Sequence, residues 1–495
     1  MSFITTRGGG CVTASQAMLF GLAENGGLYV PAMIPSISLN EIRDMAGTSY
    51  IKRASKVLEK YLEDYSENEI NTALSVAYRP GVFDDNKIAP LVHTDVDTYV
   101  LELFHGPTLA FKDMALQLLP SLTRMAAQKN NTDKKIVYLV ATSGDTGKAV
   151  LEAFKDTPQT ECVVFYPGDG VSRIQELQMI TTEGSAAHVI RVEGNFDDAQ
   201  RGVKQALASQ AIQDKAREAN IMLSTANSVN AGRLLPQIVY YFSAYADLLD
   251  RRAIGLGDAI NFVVPTGNFG NILAGYYAKE MGLPVKKLIC ASNTNHVLSD
   301  FFTSGIYSTQ RDFIKTLSPS MDILVSSNLE RLLFELCNRN AELLCNWMNQ
   351  LNDRGVYNIG EQRLTAALNT FYGGYADDSR TQAAIKRCFQ RHAYLMDPHT
   401  AVAYDVLEEY RACTGDTTPS VILSTASPYK FSGAVLSALT GHEPQNEFVS
   451  ANELAKYTGM VVPESVKGLA DKPILHTRVC RKDAIINTVQ SFIVL

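Results

Sequence analysis

The sequence predicts an α/β protein built as two doubly wound lobes, with a mixed N-terminal region and a helical insertion. Apolar runs of strand length alternate with helical stretches through the middle of the chain, the βαβ rhythm of a parallel sheet. Two of these units carry a glycine-rich turn between strand and helix and lie roughly 120 residues apart, as two separate lobes would place them. By length alone 495 residues predict roughly three domains, or two large α/β lobes with additions.

Residues 1–95 read as mixed and largely helical. Ala14–Ala23 and Leu39–Leu62 carry helical periodicity, split by Asn25-Gly26-Gly27 and by Pro31 and Pro35. Residues 96–235 make the first lobe. In it Lys135–Ala141 is a buried-strand run, followed by a glycine turn and the helix Lys148–Lys155; Cys162–Pro167, His188–Val192 and Ile221–Ser224 are further strand candidates. Residues 236–495 make the second lobe, where Ile260–Val264 leads through a glycine turn into the helix Ile272–Met281. Lys287–Ala291 and Val421–Ser424 follow as strands. From about 310 to 395 the pattern turns helical: Leu329, Leu332, Leu333, Leu336, Leu343, Leu344, Trp347 and Met348 recur at helical spacing, which is core packing. There is no internal repeat and no low-complexity segment.

Composition excludes several classes. Hydrophobic residues make up 46% and charged residues 20%, enough for a sizeable core. A net charge of -7 gives no basic face for nucleic acid. None of the eight cysteines falls in a CxxC pair, and their spacings suit neither a zinc site nor a dense disulfide framework; no metal is expected, and the thiols read as reduced in a cytoplasmic protein. The first ten residues lack the basic-then-apolar order of a signal peptide, and no run approaches the ~20 apolar residues that span a bilayer.

Three loops carry chemistry. Glu102–Asp113 contains the turn Gly106-Pro107 and one lysine, Lys112, between Phe111 and the apolar run Met114–Leu119. An isolated lysine there ordinarily opens a helix in water. Against an apolar wall, desolvation disfavours its charge, and such amines form Schiff bases. Ala141-Thr142-Ser143-Gly144-Asp145-Thr146-Gly147 follows a strand and opens a helix, so backbone N–H groups and the hydroxyls of Ser143 and Thr146 favour an anion. It is not a nucleotide P-loop, because Thr142 replaces the first glycine and Ala149 the magnesium-binding hydroxyl. Pro265-Thr266-Gly267-Asn268-Phe269-Gly270-Asn271 is a second such loop, without the GxGxxG spacing of a dinucleotide fold, and reads as a cup for one phosphate. The first loop alone is equally a structural turn, and the second alone is a moderate signal. A reactive lysine, two anion loops and the hydroxyl turn Thr425–Phe431 together suit pyridoxal 5'-phosphate.

Longer segments carry a resemblance: Gly21–Pro31, Phe104–Asp113, Thr142–Gly147, Val192–Gln200, Asn227–Arg233, Pro319–Ile323 and Ser326–Arg331. With them the chain resembles the threonine synthase family, part of the tryptophan-synthase-β-like, fold type II pyridoxal-phosphate enzymes, nearly end to end. The resemblance implies that Lys112 holds the cofactor as a Schiff base and shuttles protons at the α and β carbons. It implies that Gly267, Asn268, Phe269, Gly270 and Asn271 bind the cofactor phosphate and that Thr425 meets the pyridine nitrogen. Thr142, Ser143, Asp145 and Thr146 would grip a substrate carboxylate; Asn227, Ser228 and Arg233 would bind a substrate phosphate. The implied reaction turns O-phospho-L-homoserine and water into L-threonine and phosphate in a monomer or homodimer. Many relatives have His-Pro-Ala-Lys-Phe where this chain has Ser427-Pro428-Tyr429-Lys430-Phe431. His105 and His399 read as structural or as residues that support the site from behind. The alternatives are a threonine or serine dehydratase, a non-catalytic paralogue, which Lys112 argues against, and, more distantly, a nucleotide hydrolase.

Overall fold

In the computed structural model, which describes residues 1–168, 171–443 and 446–493, Lys135–Ala141 is a strand buried on both faces. Its alternate residues split between two cores. Ile136, Tyr138 and Val140 face the main one, whereas Val137, Leu139 and Ala141 face a second, as the two-residue side-chain period requires. A strand apolar on both faces belongs inside a covered parallel sheet. Here that sheet has five strands in the order Arg478–Arg481, Ala187–Glu193, Thr160–Pro167, Lys135–Ala141, Ile221–Ser224, every pair parallel.

A larger sheet of six strands runs Phe371–Tyr375, Val285–Ser292, Ile260–Pro265, Ser420–Ser424, Thr98–Glu102, Leu91–Asp95. Only its last pair is antiparallel. Helix Ala231–Asp250 leaves the smaller sheet and packs on helix Gly270–Glu280, which follows a strand of the larger one. Each candidate loop emerges at the C-terminal end of a parallel strand, where α/β sheets bind ligands. Thr142 follows Lys135–Ala141, the segment 225–230 follows Ile221–Ser224, Thr266 follows Ile260–Pro265, Thr425 follows Ser420–Ser424, and the Lys112 turn follows Thr98–Glu102.

Sheet membership cuts across the division at 95/96 and 235/236. Thr98–Glu102, placed by sequence in the first lobe, pairs with Ser420–Ser424 in the larger sheet. Arg478–Arg481, from the far end of the second lobe, closes the edge of the smaller sheet. Strand partners are chosen by burial across the whole chain and are not always sequence neighbours. The stretch 310–395 is mostly helical, through Leu329–Leu336, Ala341–Arg354, Glu361–Leu368 and Asp378–His392. It is more than an insertion, because Phe371–Tyr375 is an edge strand of the larger sheet. Gly373 and Gly374 mask that strand in the sequence. A Cβ at Gly373 would lie 3.0 Å from Phe302 Cβ and from Ser299 Cα, so the backbone runs flush against helix Val297–Ser304.

The N-terminal region holds helices Ala14–Phe20, Leu39–Arg43, Tyr50–Leu58 and Glu67–Ala77, with a three-stranded sheet of Ser2–Thr5, Val12–Thr13 and Tyr29–Pro31 that periodicity over so few residues does not reveal. Among the described residues no helix is long and apolar enough to cross a membrane, no group of three or more metal-binding side chains converges, and all eight cysteines are free.

Candidate active site

The lysine turn is fixed from inside. Asp113 accepts from the Thr108 N–H and hydroxyl, both at 2.8 Å. Only glycine fits at 106, since a Cβ there would lie 2.5 Å from Asp113 Cβ. The Phe111 N–H donates to the Thr425 carbonyl at 2.9 Å, tying the turn to the adjacent strand end. Lys112 leaves this turn with its Nζ 3.0 Å from Asp145 Oδ2 and 5.0 Å from the centre of the Phe111 ring. Burial lowers the amine below lysine's ordinary value; Asp145 opposes the shift, and Lys430 and Arg233 reinforce it. Such an amine holds its proton less firmly and is the nucleophilic kind.

Asp145 departs from the expectation that it meets substrate. It is 2% exposed and does not line the cleft. Its carboxylate accepts from Lys430 Nζ at 2.6 Å, Gln175 Nε2 at 2.7 Å, Ser320 Oγ at 2.9 Å and Lys112 Nζ. Burial works to raise its carboxyl, but the Lys112 and Lys430 cations outweigh that and hold it well below the usual range. Asp145 therefore anchors two lysines; facing the cleft, it would repel a substrate carboxylate.

Two helices that open at the cleft have no capping side chain on their N-cap residue. A surface helix such as Glu67–Ala77 begins with a reciprocal Ser66–Glu69 cap. Helix Asp145–Phe154 begins at Gly144, φ 129°, and helix Gly270–Glu280 at Phe269, φ 64°; neither has a capping side chain. Their first N–H groups lack intrahelical partners and favour an anion. In the first loop Thr142 Oγ1 accepts from the N–H groups of Gly144 and Gly147, both at 2.9 Å, so its hydroxyl closes the turn, while Ser143 and Thr146 line the cleft beside it. In the second loop, the left-handed Phe269 costs about 1–3 kcal/mol, offset by burying its ring near Phe302 and Phe371. Ser326–Arg331 braces that loop from behind. Ser326 Oγ donates to the Gly267 carbonyl at 2.7 Å and Ser327 Oγ to Asn268 Oδ1 at 3.2 Å. Asn271 Oδ1 accepts from Tyr240 and Tyr241, which leaves its buried Nδ2 without a partner among the described residues.

The third segment, 225–233, holds Arg233 at 2% exposure. Arg233 Nη1 donates to the Ala226 carbonyl at 2.7 Å, and its Nε has no partner among the described residues. Burial pulls the guanidinium down to about 10. An incompletely partnered buried cation is costly unless an anion joins it. Ser228 Oγ accepts from Asn328, so its own O–H is left to donate. Asn227 binds both backbone groups of Ala141, N–H at 3.2 Å and carbonyl at 2.7 Å, and keeps one amide hydrogen for the cleft.

These loops surround a cleft of about 840 Å³, mouth included. It brings together Lys112, Thr142, Ser143, Thr146, Asn227, Ser228, Arg233, the loop Gly267–Asn271 and Thr425. Phe196, Gln200, Ser320 and Met321 also line it; they lie in segments the resemblance marks without assigning a role. His399 is in the wall: it donates from Nδ1 to Asp397 at 2.5 Å and accepts the Ser320 N–H on Nε2 at 3.1 Å. His105 bonds Asp84 and Glu102 outside the cleft. Pyridoxal phosphate fits this donor set. Lys112 supplies the amine, the uncapped Gly270 helix and the orphaned Asn271 amide suit its phosphate, and Thr425 lines the cleft.

Comparison with known proteins agrees. Residues 2–78 match the family described as threonine synthase N terminus, residues 87–345 the pyridoxal-phosphate dependent enzymes, and residues 400–493 the threonine synthase C-terminal family. The chain is 38% identical over 487 residues to threonine synthase from Pseudomonas aeruginosa, covering 94% of this chain and 99% of that one. It is 39% identical over 435 residues, 86% of this chain, to human threonine synthase-like 1, and the match spans 58% of that longer relative. The pyridoxal-phosphate-bound threonine synthase from Brucella melitensis superposes with a TM-score of 0.86 at 37% identity, covering 100% of this chain and 98% of that one.

Proposed function

The chain belongs to the threonine synthase family of pyridoxal-phosphate-dependent enzymes, and from that premise we propose that it converts O-phospho-L-homoserine and water into L-threonine and inorganic phosphate. It would do so in the cytoplasm, as a monomer or homodimer. The observation that carries this reading is Arg233, a buried guanidinium with an unpartnered Nε, in the same cleft as a separate phosphate cup. One phosphate site serves the cofactor; a second has a use only if the substrate also carries a phosphate. A serine or threonine dehydratase has no need of it.

Lys112, Gly267, Asn268, Phe269, Gly270, Asn271 and Thr425 would hold pyridoxal phosphate. When bound, it supplies an aldehyde for the substrate amine and a ring that withdraws electrons from the α carbon. Lys112 Nζ removes protons from the α and β carbons and delivers protons to the γ and α carbons, and its lowered proton affinity suits both directions. Asp145, itself held by Lys430 and Gln175, keeps that amine in place between transfers. Ser143 and Thr146, with the helix N-terminus, orient the substrate carboxylate. Arg233, Ser228 and the free amide hydrogen of Asn227 hold the phosphate as the bond from the γ carbon to oxygen breaks and the electron pair leaves with it. Two parallel guanidinium N–H bonds would fix its direction. Water oxygen then bonds to the β carbon, and the proton it gives up ends on the released phosphate.

Incubating the holoenzyme with phosphohomoserine is expected to release phosphate and threonine in equal amounts. Ammonia and a keto acid instead would establish the dehydratase. Arg233→Leu is expected to keep the cofactor and lose turnover by on the order of a hundredfold.

A further inference from the structure

The segment Ser326–Arg331 contains a buried polar chain that reaches both anion loops. Asn328 is fully buried, and its Nδ2 donates to Ser228 Oγ and to the Asn268 carbonyl, both at 3.0 Å. Its Oδ1 accepts from Arg331 Nη1. Arg331, also fully buried, spends its remaining donors on neutral carbonyls, Tyr29 at 3.0 Å and Val229 at 2.7 Å. A buried guanidinium that meets only neutral acceptors stabilises a fold poorly, but it fixes which end of the Asn328 amide faces which way. With Oδ1 held by Arg331, the NH2 end must face the loops.

We propose that Asn328, oriented by Arg331, is a positioning residue that couples the cofactor-phosphate loop to the substrate-phosphate loop and so helps select a phosphorylated substrate. One amide hydrogen holds the Asn268 carbonyl. The other occupies the Ser228 oxygen as acceptor, so the Ser228 O–H can only be donated away from Asn328, toward the cleft that Ser228 lines. Reading the 225–233 segment as the substrate-phosphate site is the premise.

Asn328→Asp tests this with almost no change of shape. The carboxylate keeps Arg331 and the backbone N–H bond to the Asn268 carbonyl at 3.0 Å, but it accepts from Ser228 and turns that O–H away from the cleft. Inorganic phosphate titrated calorimetrically into the holoenzyme is expected to bind on the order of tenfold more weakly, the scale of one hydrogen bond to a charged group. The KM for phosphohomoserine should rise more than kcat falls, while bound cofactor, read from its absorbance, is retained. Ser228→Ala should lose a similar factor, and the double variant should lose no more than the worse single one. Unchanged phosphate binding in Asn328→Asp, or losses that multiply in the double variant, would overturn the coupling. Should Asn328→Asp fail to load cofactor, Asn328→Ser, which shortens the side chain away from both loops without adding charge, takes its place under the same criteria. Arg233→Leu is the control. Weaker phosphate binding there with none in Asn328→Asp sinks the coupling alone, whereas no effect in either means the phosphate pocket lies elsewhere.

Discussion

Lys112 and His105 both sit beside carboxylates, yet their proton affinities move in opposite directions. Burial dominates at Lys112 and lowers it. At His105 burial also opposes the charge, but the hydrogen bonds the ring donates to Asp84 and Glu102 outweigh it and raise the imidazole to about 9. A folded-state value above the ordinary 6.5 means the contribution is fully present below that pH and is lost as pH rises to about 9. The melting-temperature gap between the parent and His105→Gln should therefore be widest below pH 6.5 and close by about pH 9, with a ceiling of about 2 kcal/mol after discounting for the largely solvated Asp84. Asp145→Asn should cost about 3–5 kcal/mol, because it strands two buried ammonium groups. If the loss instead appeared only as a raised KM with unchanged melting, Asp145 would be a substrate contact after all. Lys112 was legible in the sequence because an amine after a glycine-proline turn and before an apolar run is a local pattern. The partners of Asp145 were not, since Lys430 and Ser320 reach it from distant segments and no periodicity records that.

At the scale of elements, the turns were the readable part. Glycines between a strand and a helix mark sites where backbone and ligand or backbone and core approach closely, and Gly147 shows how close. It sits inside helix Asp145–Phe154, where alanine ordinarily gains about 1 kcal/mol over glycine. Its Cβ would lie 2.6 Å from Met179 Sδ, 2.7 Å from Thr142 Cγ2 and 2.8 Å from Val164 Cγ1. Thr142 is the residue whose hydroxyl closes the loop, so relieving the clash moves the anion site itself. Overpacking of about 1–3 kcal/mol should exceed the propensity gain, and Gly147→Ala should both melt lower and bind substrate more weakly. A rise in melting temperature would show the neighbours yield freely. The strands of the N-terminal sheet and Phe371–Tyr375 escaped the sequence reading because runs of two to five residues, one with paired glycines, carry no measurable alternation.

Across the whole molecule, the active site depends on a sheet whose outer edge comes from the end of the chain. Arg478–Arg481 pairs with Ala187–Glu193, and helix Ile485–Ile493 lays Ile485, Val489, Phe492 and Ile493 on the second core beside Val137, Leu139, Val163 and Phe165. That core covers the face of the sheet opposite the main one, and Gly202 is shaped for it: a Cβ there would meet Ile485 Cδ1 at 2.5 Å. Four large apolar side chains at about 1.5–3 kcal/mol each come to roughly 6–12 kcal/mol as an upper bound, comparable with the whole stability of an ordinary domain. Ending the chain after Thr477 should therefore uncover the sheet and unfold the lobe that carries Thr142, Ser143 and Thr146. The larger sheet keeps all six strands in that shortened chain, so its secondary structure should persist in circular dichroism while cofactor binding and turnover are lost. Phe492→Ala is the graded version, expected to cost about 3–5 kcal/mol and to lower the melting temperature without changing KM in the molecules still folded. If the shortened chain bound cofactor and melted like the parent, the terminal helix would be dispensable, and the second core would have to stand on helices Phe196–Ala208 and Gln210–Glu218 alone.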